Sequence, residues 1–124
     1  MHGLLIVNGF VREESFLALR DALCAAAEAH AISLDVRAND ALLFDASSGT
    51  PLFDAPEYDF AILWDKDKYL GLQLEARGMR VFNNVRALTL CDDKALTHIA
   101  LARHNIPMPR TVLVPRTYRF VGYG

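Results

Sequence analysis

The sequence predicts an α/β fold, and three observations carry that expectation. Short apolar runs alternate with longer amphipathic stretches along the chain, and alternation of this kind gives a mostly parallel sheet covered by helices. The run "FAILW" (Phe60 to Trp64) is apolar at every position, as a strand buried on both faces must be. Turn-forming residues stand where the runs end, at Asn8-Gly9, at Asp65 to Asp67 and at Asn83-Asn84.

Each element follows from its own residues. "LLIV" (Leu4 to Val7) is a first strand, closed by the Asn8-Gly9 turn. In "REESFLALRDALCAAAEAHA" the apolar side chains Phe16, Leu19, Leu23 and Ala26 or Ala27 recur at three- and four-residue steps, while Glu14, Asp21 and Glu28 fall elsewhere. That is an amphipathic helix. "ISLDVR" (Ile32 to Arg37) alternates and predicts a second strand. "ANDALLFDASSGTPLFDAPEYD" carries Ser47-Ser48-Gly49, Pro51 and Pro56, the composition of a loop with room for a short hairpin or edge strand.

"FAILW" is the third strand. "DKDKYLGLQLEARG" follows as a helix with Asp67 as N-cap and Gly78 just past its end. "MRVFN" is the fourth strand. Asn84 is placed to cap a short helix through Leu90. Asp92 is placed to cap another, with Leu96, Ile99 and Ala100 on its apolar side and Pro107 as its stop. "RTVLV" predicts a last strand, apart from the others or at an edge. The expected architecture is a Rossmann-like three-layer domain with a mostly parallel sheet of four to five strands. The expected order of the first four is 2-1-3-4. Right-handed crossovers set the hand of each βαβ unit.

Composition narrows the function. The chain has 124 residues, 52% hydrophobic and 23% charged, which suits one packed domain and argues against disorder. The formal net charge is −2 with no basic block, so a nucleic-acid partner has no electrostatic support. No apolar run approaches the roughly 20 residues that span a membrane. "MHGLLIVNGF" has neither the basic leader nor the apolar length of a signal peptide. The two cysteines, Cys24 and Cys91, form no CxxC pair, and both are expected as packed thiols in a reduced, cytoplasmic setting. His2, His30, His98 and His104 show no metal-ligand spacing. Neither a GxxxxGK(S/T) loop nor a GxGxxG turn is present, so a self-sufficient nucleotide site is not expected.

In an open parallel sheet, ligands sit beyond the carboxyl ends of the strands. Asn8, Lys66 with its flanking Asp65 and Asp67, and Asn83 with Asn84 are all delivered to that edge by the strand assignment. They form a candidate substrate-side rim. The same residues also serve ordinary turns and caps, where Asn, Asp and Gly are common for backbone reasons. Lys94 poses a sharper question. With Asp92 as cap it is the second helical residue, at the positive end of the helix dipole, which costs a few tenths up to about 1 kcal/mol. A surface lysine neutralised by Asp92 and Asp93 is the plain reading of that position.

The run "NNVRALTLCDDKALTHIALARHNIPMPRT" (83 to 111) resembles the segment joining the pre-ATP-grasp domain to the ATP-grasp fold in ATP-grasp carboxylate–amine ligases. The matching pieces are "FNN" after a strand, "RAL" in a short helix, "CDDK" at a helix start and "IPMPRT" leading to a strand. The RimK-like branch is the nearest pattern, and D-alanine–D-alanine ligases have a similar one. "LIVNGF", "FAILWDKDKYLGLQLEARGMRVFNN" and "TVLVPRTYRFVGYG" extend the likeness over nearly the whole chain.

The resemblance implies that 1–106 form a pre-ATP-grasp domain and that 107–124 begin a linker or first strand toward a missing ATP-grasp domain. It implies ATP and Mg²⁺ in a longer parent, a carboxylate and an amine as substrates, and an acyl-phosphate intermediate. It assigns Lys94 to the ATP phosphates. It assigns no catalytic residue and no metal ligand to this stretch, and no cofactor is expected on residues 1–124 alone. A stand-alone Rossmann-like module binding a small ligand or protein partner is the alternative. A structural dimerisation domain, paired through the exposed C-terminal strand, is a third reading.

Overall fold

The computed structural model describes residues 1–54 and 56–114. Four strands form the main sheet: β1 (His2–Val7), β2 (Ser33–Ala38), β5 (Phe60–Trp64) and β6 (Val81–Phe82), in the order β2-β1-β5-β6. Every neighbouring pair is parallel. These are the four strands expected from the sequence, in the expected order. β3 (Phe44–Asp45) and β4 (Thr50–Pro51) make a small antiparallel hairpin inside the long loop.

Side chains alternate across the sheet. Leu4 and Ile6 of β1 and Ala61 and Leu63 of β5 join Leu70 and Leu74 of α2 (Lys68–Ala76), Leu42 and Val81 in one buried cluster. Trp64 points the other way and meets Phe16 of α1 (Glu14–Ala29), with ring centroids 4.9 Å apart. Two helices thus cover opposite faces, giving three layers. This follows from the right-handed rule, because α1 leads from β1 toward β2 while α2 leads from β5 toward β6, in the opposite direction. Between β1 and β5 the winding reverses.

Local chemistry ends the helices where expected in several places. Asp67 accepts the Leu70 N–H at 3.0 Å and caps α2. Gly78, at φ +81, follows the Arg77 C-cap, where the left-handed backbone suits glycine. Asn84 accepts the Ala87 N–H at 2.8 Å at the start of α3 (Val85–Asp92).

Other expectations are corrected. The inner face of α1 is Phe16, Leu17, Arg20, Leu23, Cys24 and Ala27, whereas Leu19 is 57% exposed. Cys24 is only half-buried and Cys91 is exposed in the last turn of α3, so neither is a fully packed thiol. α3 runs on through Asp92, and Asp93 rather than Asp92 caps α4 (Lys94–Arg103). α4 stops before Pro107 is reached, because Asn105 takes the left-handed conformation at φ 53, a role asparagine fills at helix ends.

The expected last strand is absent: residues 110–114 lie in no strand. A strand needs a ladder partner, and none of the described pairings includes this segment. Dimerisation through a C-terminal strand therefore has no formed strand to use among the described residues; the remainder of that stretch, 115–124, lies outside them.

By contacts the chain divides into two units, Met1–Thr89 and Leu90–Gly124. The first holds the sheet, α1, α2 and the hairpin. The second holds α4, which buries no residue fully. Its entry is tied by the Thr97 hydroxyl, 2.6 Å from the Leu90 carbonyl oxygen.

Candidate functional site

The parallel sheet brings the ends of β1, β2, β5 and β6 to one edge. The crevice beyond β1 and β5, where the winding reverses, is the place at which open α/β sheets take ligands. Here that position is filled by a hydrogen-bonded group of four side chains. Asn8, after β1, donates to Asp65 at 3.4 Å. Asn39, after β2, donates to the other oxygen of Asp65 at 2.8 Å and reaches Asp67 at 3.5 Å. The Asn39 side-chain oxygen Oδ1 accepts the Gly9 N–H at 3.1 Å. All four are half-buried.

The backbone is shaped around this group. The Asn8 carbonyl oxygen of the side chain accepts the Phe10 N–H at 2.8 Å, an Asx turn that leads the chain away from β1. At Gly9 a Cβ would stand 2.8 Å from an Asp40 oxygen, so the exposed Asp40 side chain closes over this turn. Asp65 also accepts the Lys66 N–H at 2.7 Å. The edge thus presents two acidic side chains whose orientation is set by two side-chain amides.

Of the residues singled out by sequence, Asn8 enters this group directly. Lys66 stands on the same edge with its side chain exposed, contributing backbone contacts to Asp65 and Lys68. Asn83 and Asn84 follow β6 at the same edge, one strand further over. Asn84 is the α3 cap. Asn83 lines a shallow hollow of about 250 Å³ with Leu23, Ile62, Trp64 and Phe82. The residue that sequence reasoning missed is Asn39. It stands directly after β2, so the same strand-end rule that selected Asn8 applies to it.

Lys94 lies in the second unit. It is the first helical residue of α4 and is exposed. Asp93 accepts the Ala95 N–H at 2.8 Å and the Leu96 N–H at 3.1 Å. Two of the amides at this helix start are therefore already satisfied by a carboxylate. Any anion held here would be held by the Lys94 ammonium and not by those amides. Among the described residues, no three His, Cys, Asp or Glu side chains converge as a metal site. No helix among them is long and apolar enough to cross a membrane.

No family model matches the chain. It is 33% identical over 93 residues to "Uncharacterized protein MG012 homolog" of Mycoplasma pneumoniae (strain ATCC 29342 / M129 / Subtype 1), a match covering 73% of this chain and 32% of that protein. The crystal structure of the RimK domain protein ATP-grasp from Sphaerobacter thermophilus DSM 20745 superposes with a TM-score of 0.66 at 19% identity. That match covers 87% of this chain and 40% of the solved one. The chain thus spans about a third of the curated relative and two fifths of the solved protein. The α/β sheet is accordingly a fold shared with part of a RimK domain ATP-grasp protein.

Proposed function

We propose that this chain is the substrate-side domain of an ATP-dependent carboxylate–amine ligase. The observation that carries the reading is the group Asn8, Asn39, Asp65 and Asp67 at the winding reversal of a sheet that shares its fold with a RimK domain ATP-grasp protein. In such a ligase a substrate carboxylate attacks the terminal phosphate of ATP, giving an acyl phosphate and ADP. An amine then displaces inorganic phosphate and leaves an amide.

The residues of this chain take limited parts in that scheme. The edge carboxylates Asp65 and Asp67 suit a cationic group, so the amine is the substrate that the rim fits best. Lys66, Asn83 and Asn84 border the same edge. Lys94 presents a compact ammonium to the ATP phosphates, a role suited to a point charge. ATP supplies the phosphoryl group, and Mg²⁺ would neutralise its charge. The described residues hold no ligand set for that ion. The proposed parent joins 1–106, as the pre-ATP-grasp part, through 107–124 to an ATP-grasp domain. That division concerns the parent, whereas the two units above concern contacts within this chain.

The test is carboxylate-dependent consumption of ATP by the longest natural protein that contains this chain. ADP release that rises with added carboxylate, and amide formation only when an amine is also present, supports the reading. ATP consumption indifferent to both substrates across a broad panel contradicts it.

A further inference from the structure

A second cavity lies on the α2 face of the sheet, toward the amino ends of β5 and β6. Asp59 and Met79, which precede those strands, both line it. It is therefore at the opposite end of the sheet from Asn8 and Asp65. Its volume is about 430 Å³, within the range of small-molecule sites.

Its walls have two chemistries. The floor is apolar: the half-buried Phe44, Phe53 and Met79 line it, packed against the core that holds Leu4 and Leu74. Phe44 and Phe53 meet edge to face at 5.3 Å, which leaves a rigid aromatic wall. Tyr58 closes one side. Its hydroxyl donates to Asp35, which also accepts from Arg37 at 2.9 Å, so the phenol is held in place. The mouth carries charge of both signs. Arg77 donates to the Gly49 carbonyl at 3.1 Å, but it forms no ion pair with a described carboxylate. Glu57 likewise has no described cationic partner. Asp59 adds a second carboxylate, one oxygen of which accepts the His2 N–H at 2.6 Å.

We propose that this cavity binds a free α-amino acid with an apolar side chain. The side chain enters against Phe44, Phe53 and Met79, the carboxylate meets Arg77, and the ammonium meets Glu57 and Asp59. An apolar floor with both charges at its mouth is complementary to a zwitterion with an apolar body. A plain fatty acid would leave Glu57 and Asp59 facing its carboxylate, and a simple amine would leave Arg77 facing its cation. The site is independent of the ligase reading and uses none of its residues.

The test is calorimetric titration of the 124-residue chain with L-phenylalanine and L-leucine, and with the N-acetyl and carboxamide derivatives of each, together with amide chemical-shift mapping. The expected result is saturable binding of the free amino acids, with shifts at Phe44, Phe53, Tyr58 and Met79. Each capped derivative is expected to bind about tenfold more weakly, the loss of one charge-assisted contact. Arg77→Ala should weaken the free amino acid and abolish its advantage over the carboxamide. Glu57→Gln should reduce its advantage over the N-acetyl form. Both side chains are exposed, and if Arg77→Ala disturbs the hairpin through its Gly49 contact, Glu57→Gln carries the test. Absence of saturable binding, equal binding of capped and free forms, or shifts confined to Asn8, Asn39 and Asp65 would overturn the proposal. The last of these outcomes leaves the ligase reading standing, since it would place the ligand at the opposite edge.

Discussion

The Asn39 amide donates to the Asp65 carboxylate at 2.8 Å and so joins the loops after β2 and β5 across the end of β1. The same side chain accepts from Gly9, after β1. One residue therefore fastens three strand ends at the point where the sheet reverses its winding. Asn39→Ala leaves Gly9 N–H and one Asp65 oxygen without their partner in a half-buried place. The expected loss is about 1–3 kcal/mol, read as a lower melting temperature. Asn39→Asp should cost more, because it sets a third carboxylate beside Asp65 and Asp67. An unchanged melting temperature for both variants would show that the three loops hold their places without this residue.

Asp35 and Tyr58 make stability depend on pH at both extremes. The Tyr58 hydroxyl, and then Arg37, hold the Asp35 carboxyl below its ordinary range against the opposing effect of partial burial. Burial first, then the bond to Asp35, push the Tyr58 phenol up to about 12 from its ordinary 10.0. A carboxylate with a lowered folded pKa stabilises the fold above its unfolded value of 3.8, and that contribution is lost as pH falls through the folded value. A phenol with a raised folded pKa stabilises below pH 10.0, and the contribution is lost as pH rises toward about 12. Denaturant midpoints across pH should show both declines. Tyr58→Phe should remove the alkaline decline due to this phenol and make the acid one shallower. A variant whose pH profile matches the parent at both ends would contradict the assignment.

Gly71 in α2 is fitted against its neighbours. A Cβ there would stand 2.5 Å from Val85 Cγ2 and 3.0 Å from Leu63 Cδ2. Alanine in a helix interior is otherwise favoured over glycine by about 1 kcal/mol. Crowding of a packed core costs about 1–3 kcal/mol, and Val85 is 4% exposed with little room to move. Gly71→Ala is therefore expected to lower the melting temperature, and Val85→Ala added to it should recover part of the loss relative to Val85→Ala alone. A stabilised Gly71→Ala variant would mean that the α2–α3 packing yields easily.

Much of this architecture was legible in the residues. β5 announced itself because "FAILW" has no polar position, and the caps Asp67 and Asn84 stand where their side-chain oxygens reach free amides. The edge group was half legible. Asn8 was selected by the strand-end rule, while Asn39 was hidden because β2 ends at Ala38 rather than Arg37, which moves the loop start by one residue. Leu19 misled because the leucines at 17 and 19 both fit a helical stripe roughly, and only packing decides which faces inward. Asp92 and Asp93 are chemically alike, so the cap of α4 was open by one position. The segment 110–114 has strand composition, but composition supplies no ladder partner.

The ligase reading is tested most directly at Lys94, the first residue of α4, whose neighbouring amides at Ala95 and Leu96 are taken by Asp93. A cation at that end of a helix gives it no support, so Lys94→Ala should leave the fold unchanged or slightly more stable, by up to about 1 kcal/mol. If the ammonium meets the ATP phosphates, its removal should slow ATP-dependent turnover by roughly 100-fold or more. Lys94→Arg should rescue poorly, since a planar guanidinium does not replace a compact ammonium. The measurement is ATP turnover beside melting temperature for Lys94→Ala in the longest natural protein containing this chain. The account predicts lost turnover with an unchanged melting temperature; turnover at the parental rate would make Lys94 an ordinary surface lysine and contradict it.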